Sequence, residues 1–385
     1  MIFPPAVFSY ADGAFMDKLS NRVLAFIRQQ KLLCEGDTVL VAFSGGADST
    51  ALLYLLSGLA GLLKLRLAAV HVNHGLRGEE AARDEAFCRK TAELLSVPFH
   101  AVHVDVKERV RKCGLSTEEA ARELRYEALR RIRKQYLSER PNARVRIAAA
   151  HHADDQAETV LLNLLRGTGL RGLSGMTPCR GDLIRPLLCV SRGELILWLS
   201  EKGITYVTDS TNLCDDYTRN FLRNRILPEL SGRVNARAAE HIQSAAFICG
   251  EADAYLRAEA AAFLEEQLMS LKNPEADGLA EALGMEGPAA ETAEDYGREI
   301  AIPVRLLKEK PQILRRYVII EALDRIGAPL KNFGERHLAD LDKAIFQGRG
   351  FHLDLPNGVC VENQYRIMVI RYLRSIEPSE NNQSK

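Results

Sequence analysis

Hydrophobic runs alternate with amphipathic stretches through the first half of the chain. Four short apolar runs predict buried strands at residues 39–43, 65–72, 99–104 and 146–150. Stretches with apolar residues at helical spacing follow them at 48–60, 79–95, 117–137 and 154–166,. A lead-in helix is predicted over 16–32. This alternation predicts an α/β domain built on a Rossmann-like parallel sheet with helices on both faces.

The pattern changes near residue 232. Residues 234–268 are alanine-rich and helical, and two further helices are predicted over 303–325 and 334–347. Residues 350–361 predict a β-hairpin with Asn-Gly at its turn, and a last strand is predicted over 365–373,. The predicted division is a helical lead-in (1–35), the main α/β domain (36–232), a helical linker (233–272), a flexible acidic insertion (273–300), a small α/β domain (301–375) and a disordered tail (376–385).

Charge is balanced overall but unevenly distributed. The formal net charge is zero, so composition alone does not indicate a nucleic-acid partner,. Residues 107–146 hold 13 Lys and Arg against 6 Glu, whereas 273–299 holds 8 acidic residues and one arginine. The basic stretch fits either a solvated helix face or a surface that contacts phosphates.

Cysteine spacing and hydropathy indicate a protein of the cytosol. The 8 cysteines contain no Cys-x-x-Cys pair, which argues against a zinc site or a disulfide scaffold and favours reduced thiols,. No apolar run approaches the roughly 18 residues that a membrane-spanning helix needs. Residues 1–5 lack the basic start of a secretory signal, so a cytoplasmic location is expected,.

The turn after the first strand carries the strongest motif. Residues 44–49 read Ser-Gly-Gly-Ala-Asp-Ser and lead directly into a helix. Adjacent glycines let the backbone point N–H groups at an anion, and the helix directs its positive end to the same place. A phosphate cradle is therefore predicted from Ser44, Gly45, Gly46, Ala47, Asp48, Ser49 and Thr50.

Asp48 refines the nature of this ligand. A carboxylate repels a phosphate unless a divalent cation lies between them, so the loop predicts ATP bound with Mg²⁺. The lysine-bearing Walker loop, Gly-x-x-x-x-Gly-Lys, does not occur at this strand end,.

Polar residues also follow the second and fourth strands. Residues 71–77 read His-Val-Asn-His-Gly-Leu-Arg, and residues 151–159 read His-His-Ala-Asp-Asp-Gln-Ala-Glu-Thr. Capping of a helix accounts for Asp154, but not for the histidines, Asp155 and Gln156 as well. Ligands bind beyond the carboxyl ends of parallel strands, so these segments are predicted to meet at one site with the loop.

These motifs, in this order, resemble those of the tRNA(Ile)-lysidine synthetases, which are N-type ATP pyrophosphatases of the PP-loop superfamily. The matching segments lie between 36 and 230, at 44–49, 71–77, 121–126, 151–159, 164–169 and 219–223. The part after 300 is similar more weakly, and we expect no counterpart of the farthest C-terminal domain of the longest members. The resemblance implies an adenine nucleotide alpha hydrolase-like fold.

The resemblance also implies an activity. ATP would adenylate the 2-carbonyl oxygen of the wobble cytidine in a CAU anticodon and release pyrophosphate. Free L-lysine would then displace AMP and give lysidine, which changes decoding from AUG to AUA. The implied partners are tRNA(Ile) with a CAU anticodon, L-lysine and ATP, with a homodimer as the expected assembly and the 301–375 domain as the tRNA-docking part.

Residue roles follow from the resemblance and from the chemistry. Expected catalytic residues are Asp48, Asp154, Asp155, Arg122 and Arg223, of which Asp48 and Asp155 would bind Mg²⁺. Nucleotide contacts are expected from the loop and from His71, Asn73, His74, Arg77, Arg125 and Gly167. Contacts with tRNA or lysine are expected from His152, Gln156, Glu158, Arg166, Arg219 and Asn220. Which residue of 151–158 deprotonates the lysine stays open.

Three alternatives belong to other functions. A tRNA thiolase commonly uses paired cysteines, and no Cys-x-x-Cys occurs here. An ammonia-using synthetase of a small metabolite usually needs a glutaminase domain, and Ile2 rather than a catalytic cysteine follows Met1. A nucleotide-binding regulator without turnover rarely needs so many polar groups at three strand ends.

Overall fold

The computed structural model describes residues 16–76, 78–208, 218–272, 299–330, 332–347, 350–364 and 366–372. These fall into two units, 1–250 and 251–385. Arg77, nearly all of the acidic insertion and the C-terminal tail lie outside the described residues. The boundary at 250 lies within a helix that runs from Ala238 to Lys272, and the predicted domain division stays a prediction.

A mostly parallel sheet forms the centre of the first unit. Its strands are β1 (Thr38–Ala42), β2 (Arg66–Asn73), β3 (Phe99–His103), β4 (Val145–Ala148), β5 (Cys179–Arg180) and β6 (Leu183–Ile184). The order is β3-β2-β1-β4-β6-β5, and only β5 and β6 pair antiparallel. The predicted parallel α/β sheet is confirmed. β2 and β3 lie on one side of β1, and β4 lies on the other side. The crevice between β1 and β4 is therefore the switch point where such sheets bind ligands.

This unit contains the helices that the hydrophobic pattern predicts and several others. They are α1 (Lys18–Gln29), α2 (Ala47–Ala60), α3 (Glu79–Leu94), α4 (Val106–Cys113), α5 (Thr117–Glu139), α6 (Ala153–Leu165), α7 (Leu170–Leu173), α8 (Arg192–Glu201), α9 (Thr218–Phe221) and α10 (Leu227–Arg233). A π-helical turn, Leu222–Ile226, joins α9 to α10. The sequence pattern did not predict α4, α7, α8, α9, α10 or the π-helical turn.

Apolar side chains of the sheet are buried on both faces. On β1, Val39 and Val41 belong to the core that contains α1, α2 and α8, whereas Leu40 belongs to the core that contains α5. This alternation follows from the two-residue period of a strand. Val23 and Ile27 of α1 are fully buried in the first core, so the described part of the predicted lead-in packs as part of this unit.

The second unit begins within a long helix and ends in a small sheet. Its elements are the later part of α11 (Ala238–Lys272), β7 (Glu299–Pro303), α12 (Val304–Lys308), α13 (Gln312–Arg325), α14 (Glu335–Phe346), β8 (His352–Leu355), β9 (Val359–Gln364) and β10 (Ile367–Tyr372). The sheet is antiparallel, in the order β7-β10-β9-β8. Apolar residues of α11, α13, α14 and the sheet form its core.

Two predictions about the second unit have different outcomes. The hairpin is confirmed, because Asn357 adopts φ 66° in the turn between β8 and β9. The single helix over 303–325 is wrong: the chain forms a strand up to Pro303, then α12, and starts α13 after Pro311. Proline inside a helix lacks the N–H donor and clashes with the preceding turn, so α12 cannot continue through Pro311.

Among the described residues, no helix combines the length and the hydrophobicity needed to cross a bilayer. The described cysteines are free thiols.

Candidate active site at the ends of β1 and β4

The loop between β1 and α2 uses its hydroxyl groups internally. Thr50 donates a hydrogen bond to the carbonyl of Gly45 at 3.1 Å, and Ser49 donates to the carbonyl of Gly46 at 3.0 Å. Gly46 is the N-cap of α2 and makes no side-chain capping bond. The first turn of a helix has N–H groups without intrahelical acceptors, so these groups are what the loop offers to an anion.

Gly45 is required by the conformation of the loop. Its φ is +86°, and a Cβ atom there would lie 3.0 Å from Sγ of Cys88 and 3.3 Å from Phe87. Its carbonyl also accepts a hydrogen bond from the N–H of Val207 at 2.9 Å. At the start of the loop, the hydroxyls of Ser44 and Ser49 lie 3.1 Å apart. The loop is thus fixed by contacts with α3 and with the segment that follows α8.

Three carboxylates surround the buried imidazole of His152. Its Nε2 lies 3.7 Å from Oδ2 of Asp48 and 3.4 Å from Oδ2 of Asp155, and its Nδ1 lies 3.4 Å from Oδ2 of Asp154. Burial lowers the pKa of His152, but the carboxylates outweigh burial and the net pKa is raised. The structure therefore brings Asp48 and Asp155, the two predicted metal ligands, to the same ring nitrogen.

Asp48 has a carboxylate oxygen that nothing in the described structure satisfies. Its Oδ1 is buried without a hydrogen-bond partner, and Nε of Arg192 lies 3.8 Å away. Burial raises the pKa of Asp48, against the lowering effect of His152 and Arg192. Carboxylate oxygens are preferred ligands of Mg²⁺, so an unsatisfied buried oxygen beside the loop fits a magnesium site.

Asp154 has a different position in this cluster. It accepts a hydrogen bond from the backbone N–H of Arg192 at 2.7 Å, at the start of α8. Burial raises its pKa, but bonds from His152 and from this N–H make the net pKa lower than usual. Asp154 therefore joins α6 to α8 as a carboxylate. Its predicted role as the helix cap is wrong, because the N-cap of α6 is His152, whose N–H donates to Asp155 at 3.1 Å.

Arg223 reaches the cluster from the π-helical turn. It donates to Glu158 at 2.6 and 3.1 Å and to Oδ1 of Asp155 at 2.7 Å. Glu158 is fully buried, and burial raises its pKa in spite of the arginine. Single π turns are frequent at functional sites. One turn earlier, Arg219 donates to the hydroxyl of Thr159 at 2.9 Å, and Asn220 lies half-buried beside it.

A second group of basic residues lies next to this cluster. Burial, Arg185 and Arg122 lower the pKa of His151 to about 4, although Asp155 opposes them. Arg185 is buried and donates to the carbonyl of Thr177 at 2.7 Å. Arg122 is exposed on α5, with its guanidinium 5.4 Å from the ring centre of Tyr126. His151 is therefore neutral at physiological pH. Arg185 and Arg192 are functional residues to which no role was assigned from the sequence.

Residues at the end of β2 and in the turn after it support the loop from the other side. Nδ1 of buried His71 lies 3.0 Å from the carbonyl of Phe43, and burial lowers the pKa of His71. The neutral ring therefore donates from Nδ1 to the residue before the loop. Asn73 accepts a hydrogen bond from the N–H of Gly75 at 3.0 Å, and His74 lies half-buried in the same turn.

The remaining predicted residues lie farther along α5 and α6. Gln156 donates to the carbonyl of Ser174 at 2.8 Å and accepts from the N–H of Met176 at 2.6 Å, which ties the glycine-rich segment to α6. Its role in substrate contact stays a prediction. Arg125 lies exposed on α5, and Arg166 and Gly167 lie exposed at the end of α6.

A glycine-rich loop lies at the switch point of a parallel sheet and leads into a helix without a side-chain cap. Buried carboxylates lie at the end of the neighbouring strand. This arrangement defines a PP-loop nucleotide-binding domain. A family model described as a PP-loop domain matches residues 16–230, which is more than half of the chain. The tRNA(Ile)-lysidine synthase of Clostridium perfringens strain 13 is 31% identical over 364 residues, covering 94% of this chain and 71% of that protein. The chain belongs to the tRNA(Ile)-lysidine synthase family of PP-loop proteins.

Other relatives match a smaller share of this chain. The tRNA(Ile)-lysidine synthase of Parabacteroides distasonis is 46% identical over 232 residues, which cover 58% of this chain and 50% of that protein. The chain thus spans half the length of this relative. The tRNA(Ile)-lysidine synthase of Chlorobaculum tepidum is 37% identical over 250 residues, covering 65% of this chain and 74% of that protein.

Proposed function

We propose that this chain ligates L-lysine to the 2-position of the wobble cytidine in tRNA(Ile) with a CAU anticodon, using ATP through an adenylated cytidine. The observation that carries the proposal is that Asp48 and Asp155 both lie near Nε2 of His152. They lie beside the loop whose helix, α2, has no side-chain capping bond at its N-terminus. Identities of 31 to 46% to relatives named tRNA(Ile)-lysidine synthase support the choice of substrate over that of a thiolase.

ATP binding would use the loop and the two carboxylates. The N–H groups at the start of α2 would bind the phosphates, and Asp48 and Asp155 would bind Mg²⁺. When bound, the ion supplies charge neutralisation across the phosphates. Preorganised N–H donors would stabilise the departing pyrophosphate, since they need no reorientation as charge develops there.

The charged residues around the loop would balance the charge on the phosphates and accept the proton of lysine. Arg192 and Arg223 lie next to Asp48 and Asp155, where guanidinium groups would balance charge that grows on the phosphates,. The lysine ammonium must lose a proton before its nitrogen attacks. The 151–158 block would accept it.

The location and assembly of the protein are part of the proposal. We place the reaction in the cytoplasm, where ATP, lysine and tRNA occur together, and we propose a homodimer on the family resemblance. The basic stretch 107–146 and the second unit would contact the tRNA beyond the anticodon.

The direct test combines purified protein, ATP, Mg²⁺, labelled lysine and transcripts of tRNA(Ile). Label should enter the CAU transcript and should not enter a matched transcript with uridine at the wobble position. Asp48→Asn should abolish incorporation, whereas Asp340→Asn, an exposed aspartate of α14, should not. Pyrophosphate release that depends on sulfur or ammonia, with no lysine in the tRNA, would contradict the proposal.

A further inference from the structure

The hairpin of the second unit places four metal-ligating residue types on one face. In the register of β8 and β9, His352 lies opposite Glu362, and Asp354 lies opposite Cys360. Residues two apart on a strand share a face, so all four side chains project to the same side. None of them belongs to the motifs of the first unit or to the proposed reaction.

Three of the ligating atoms have the spacing of a tetrahedral site. Nδ1 of His352 lies 3.1 Å from Oε1 of Glu362. Sγ of Cys360 lies 3.7 Å from Nδ1 of His352 and 3.8 Å from Oε1 of Glu362. Bond lengths of roughly 2.0 Å to N and O and 2.3 Å to S give tetrahedral edges of about 3.3 to 3.6 Å. The spacing thus allows one ion to bond to all three atoms with small movements.

The neighbouring residues favour such an ion. Oδ1 of Asp354 lies 3.3 Å from Nε2 of His352, on an exposed side chain that can turn toward a fourth position. The other oxygen of Glu362 accepts a hydrogen bond from Arg371 at 2.9 Å. Bonds of this kind orient ligating carboxylates in metal sites. Cys360 is buried in the sheet, whereas the imidazole is 56% exposed, so an ion can enter from solvent.

We propose that His352, Cys360 and Glu362 bind a divalent transition metal, with Zn²⁺ as the ion that best fits the donors. Sulfur and imidazole nitrogen select Zn²⁺ over Mg²⁺ or Ca²⁺, which prefer oxygen ligands. The ion cross-links β8 to β9 and leaves its fourth position to Asp354 or water.

Co²⁺ is the probe for the test, because its absorption reports both ligand type and geometry. The chelator-treated full chain should bind one Co²⁺ with a thiolate-to-cobalt charge-transfer band and the intense visible bands of tetrahedral coordination, and Zn²⁺ should displace it. Cys360→Ser should lose the charge-transfer band, and Cys113→Ser, at an exposed thiol of the first unit, should keep it. His352→Ala should weaken Zn²⁺ binding at least about tenfold, and His241→Ala should not.

Two outcomes would overturn the proposal. A wild-type chain without a charge-transfer band would mean that His352 only links Asp354 and Glu362 through its ring nitrogens. A band that persists in Cys360→Ser would place the ion on another thiol. Trp198 is the only tryptophan and lies in the first unit, so its fluorescence monitors the fold of that unit alone, and circular dichroism of each variant checks the second. Because the readout is metal binding, failure of the lysine-ligation proposal would not affect it.

Discussion

Replacing Arg223 by methionine would leave two carboxylates of the first unit without their cation. Arg223 makes two hydrogen bonds to Glu158 and one to Asp155, all between 2.6 and 3.1 Å. The side chain of Glu158 is 1% exposed, so water cannot replace the lost donors. Removal of one partner from a buried ion pair typically costs about 3–5 kcal/mol. Arg223 itself is 28% exposed, so we expect the lower end, about 3 kcal/mol in the free energy of unfolding,.

The loss of unfolding free energy in Arg223→Met should depend on pH and on the carboxyl group of Glu158. Burial raises the pKa of Glu158 above its ordinary 4.5, so the folded state holds the proton more tightly than the unfolded chain. Stability from this group is therefore present below about pH 4.5 and declines as pH rises through the folded-state pKa. Arg223 lowers the pKa of Glu158, so without it this decline should continue to higher pH and be larger in total,. Adding Glu158→Gln should recover part of the loss at neutral pH, with a coupling energy above about 1 kcal/mol.

Trp198 makes the measurement specific to the first unit. It is the only tryptophan of the chain and is buried in the core beside α2, so its fluorescence during urea titration reports this unit alone. Arg109→Met is the matched control, because Arg109 forms the same two-bond pair with Glu127 on the surface. Exposed pairs contribute little, so its midpoint should stay near that of the wild type. An equal loss in both variants, or no coupling to Glu158, would refute the argument.

Three further predictions concern the loop and its supports. Asp48→Asn should lower Mg²⁺-dependent pyrophosphate release by about 10²-fold or more, with the Trp198 unfolding midpoint retained; full release would contradict a metal role. Gly45→Ala should cost about 1–2 kcal/mol in Trp198-monitored unfolding and weaken nucleotide binding in calorimetry, because its φ is +86° and its Cβ would meet Cys88,. Gly193→Ala in α8, whose Cβ would meet no atom within 4 Å, should neither lower the stability nor weaken nucleotide binding,. Burial lowers the pKa of His71 from 6.5, so the unfolded chain takes up a proton first and stability falls as pH drops below about 6.5,. His71→Gln should reduce this fall, and an unchanged pH profile would contradict it.

The parts of the site that lie within one local segment could be predicted from the sequence. Residues 44–49 and 151–158 each follow a buried strand, and parallel strands bring their carboxyl ends to one edge. Local reasoning was therefore enough to place Asp48 near Asp155. The same holds for the hairpin in the second unit, because Asn357-Gly358 defines its turn.

Residues that reach the site by tertiary packing could not be predicted. Arg192 comes to Asp48 because α8 packs on α2, and Arg185 approaches His151 from the strand β6 of only two residues. Nothing in the sequence around either residue indicates these contacts. The strand Glu299–Pro303 was missed because it pairs with β10, far along the chain. Pro311 did carry a signal, and the prediction of one helix over 303–325 gave it too little weight.

The hydroxyls of Ser49 and Thr50 donate hydrogen bonds to carbonyl groups of their own loop. A bound nucleotide would therefore contact the main chain there. Peptide N–H groups recognise negative oxygen and are indifferent to the base attached further away. The loop would therefore hold GTP or CTP as readily as ATP. Selectivity for adenine must therefore come from other residues that line the crevice. Substitutions of those residues, rather than of the glycine turn, should change which nucleotide binds.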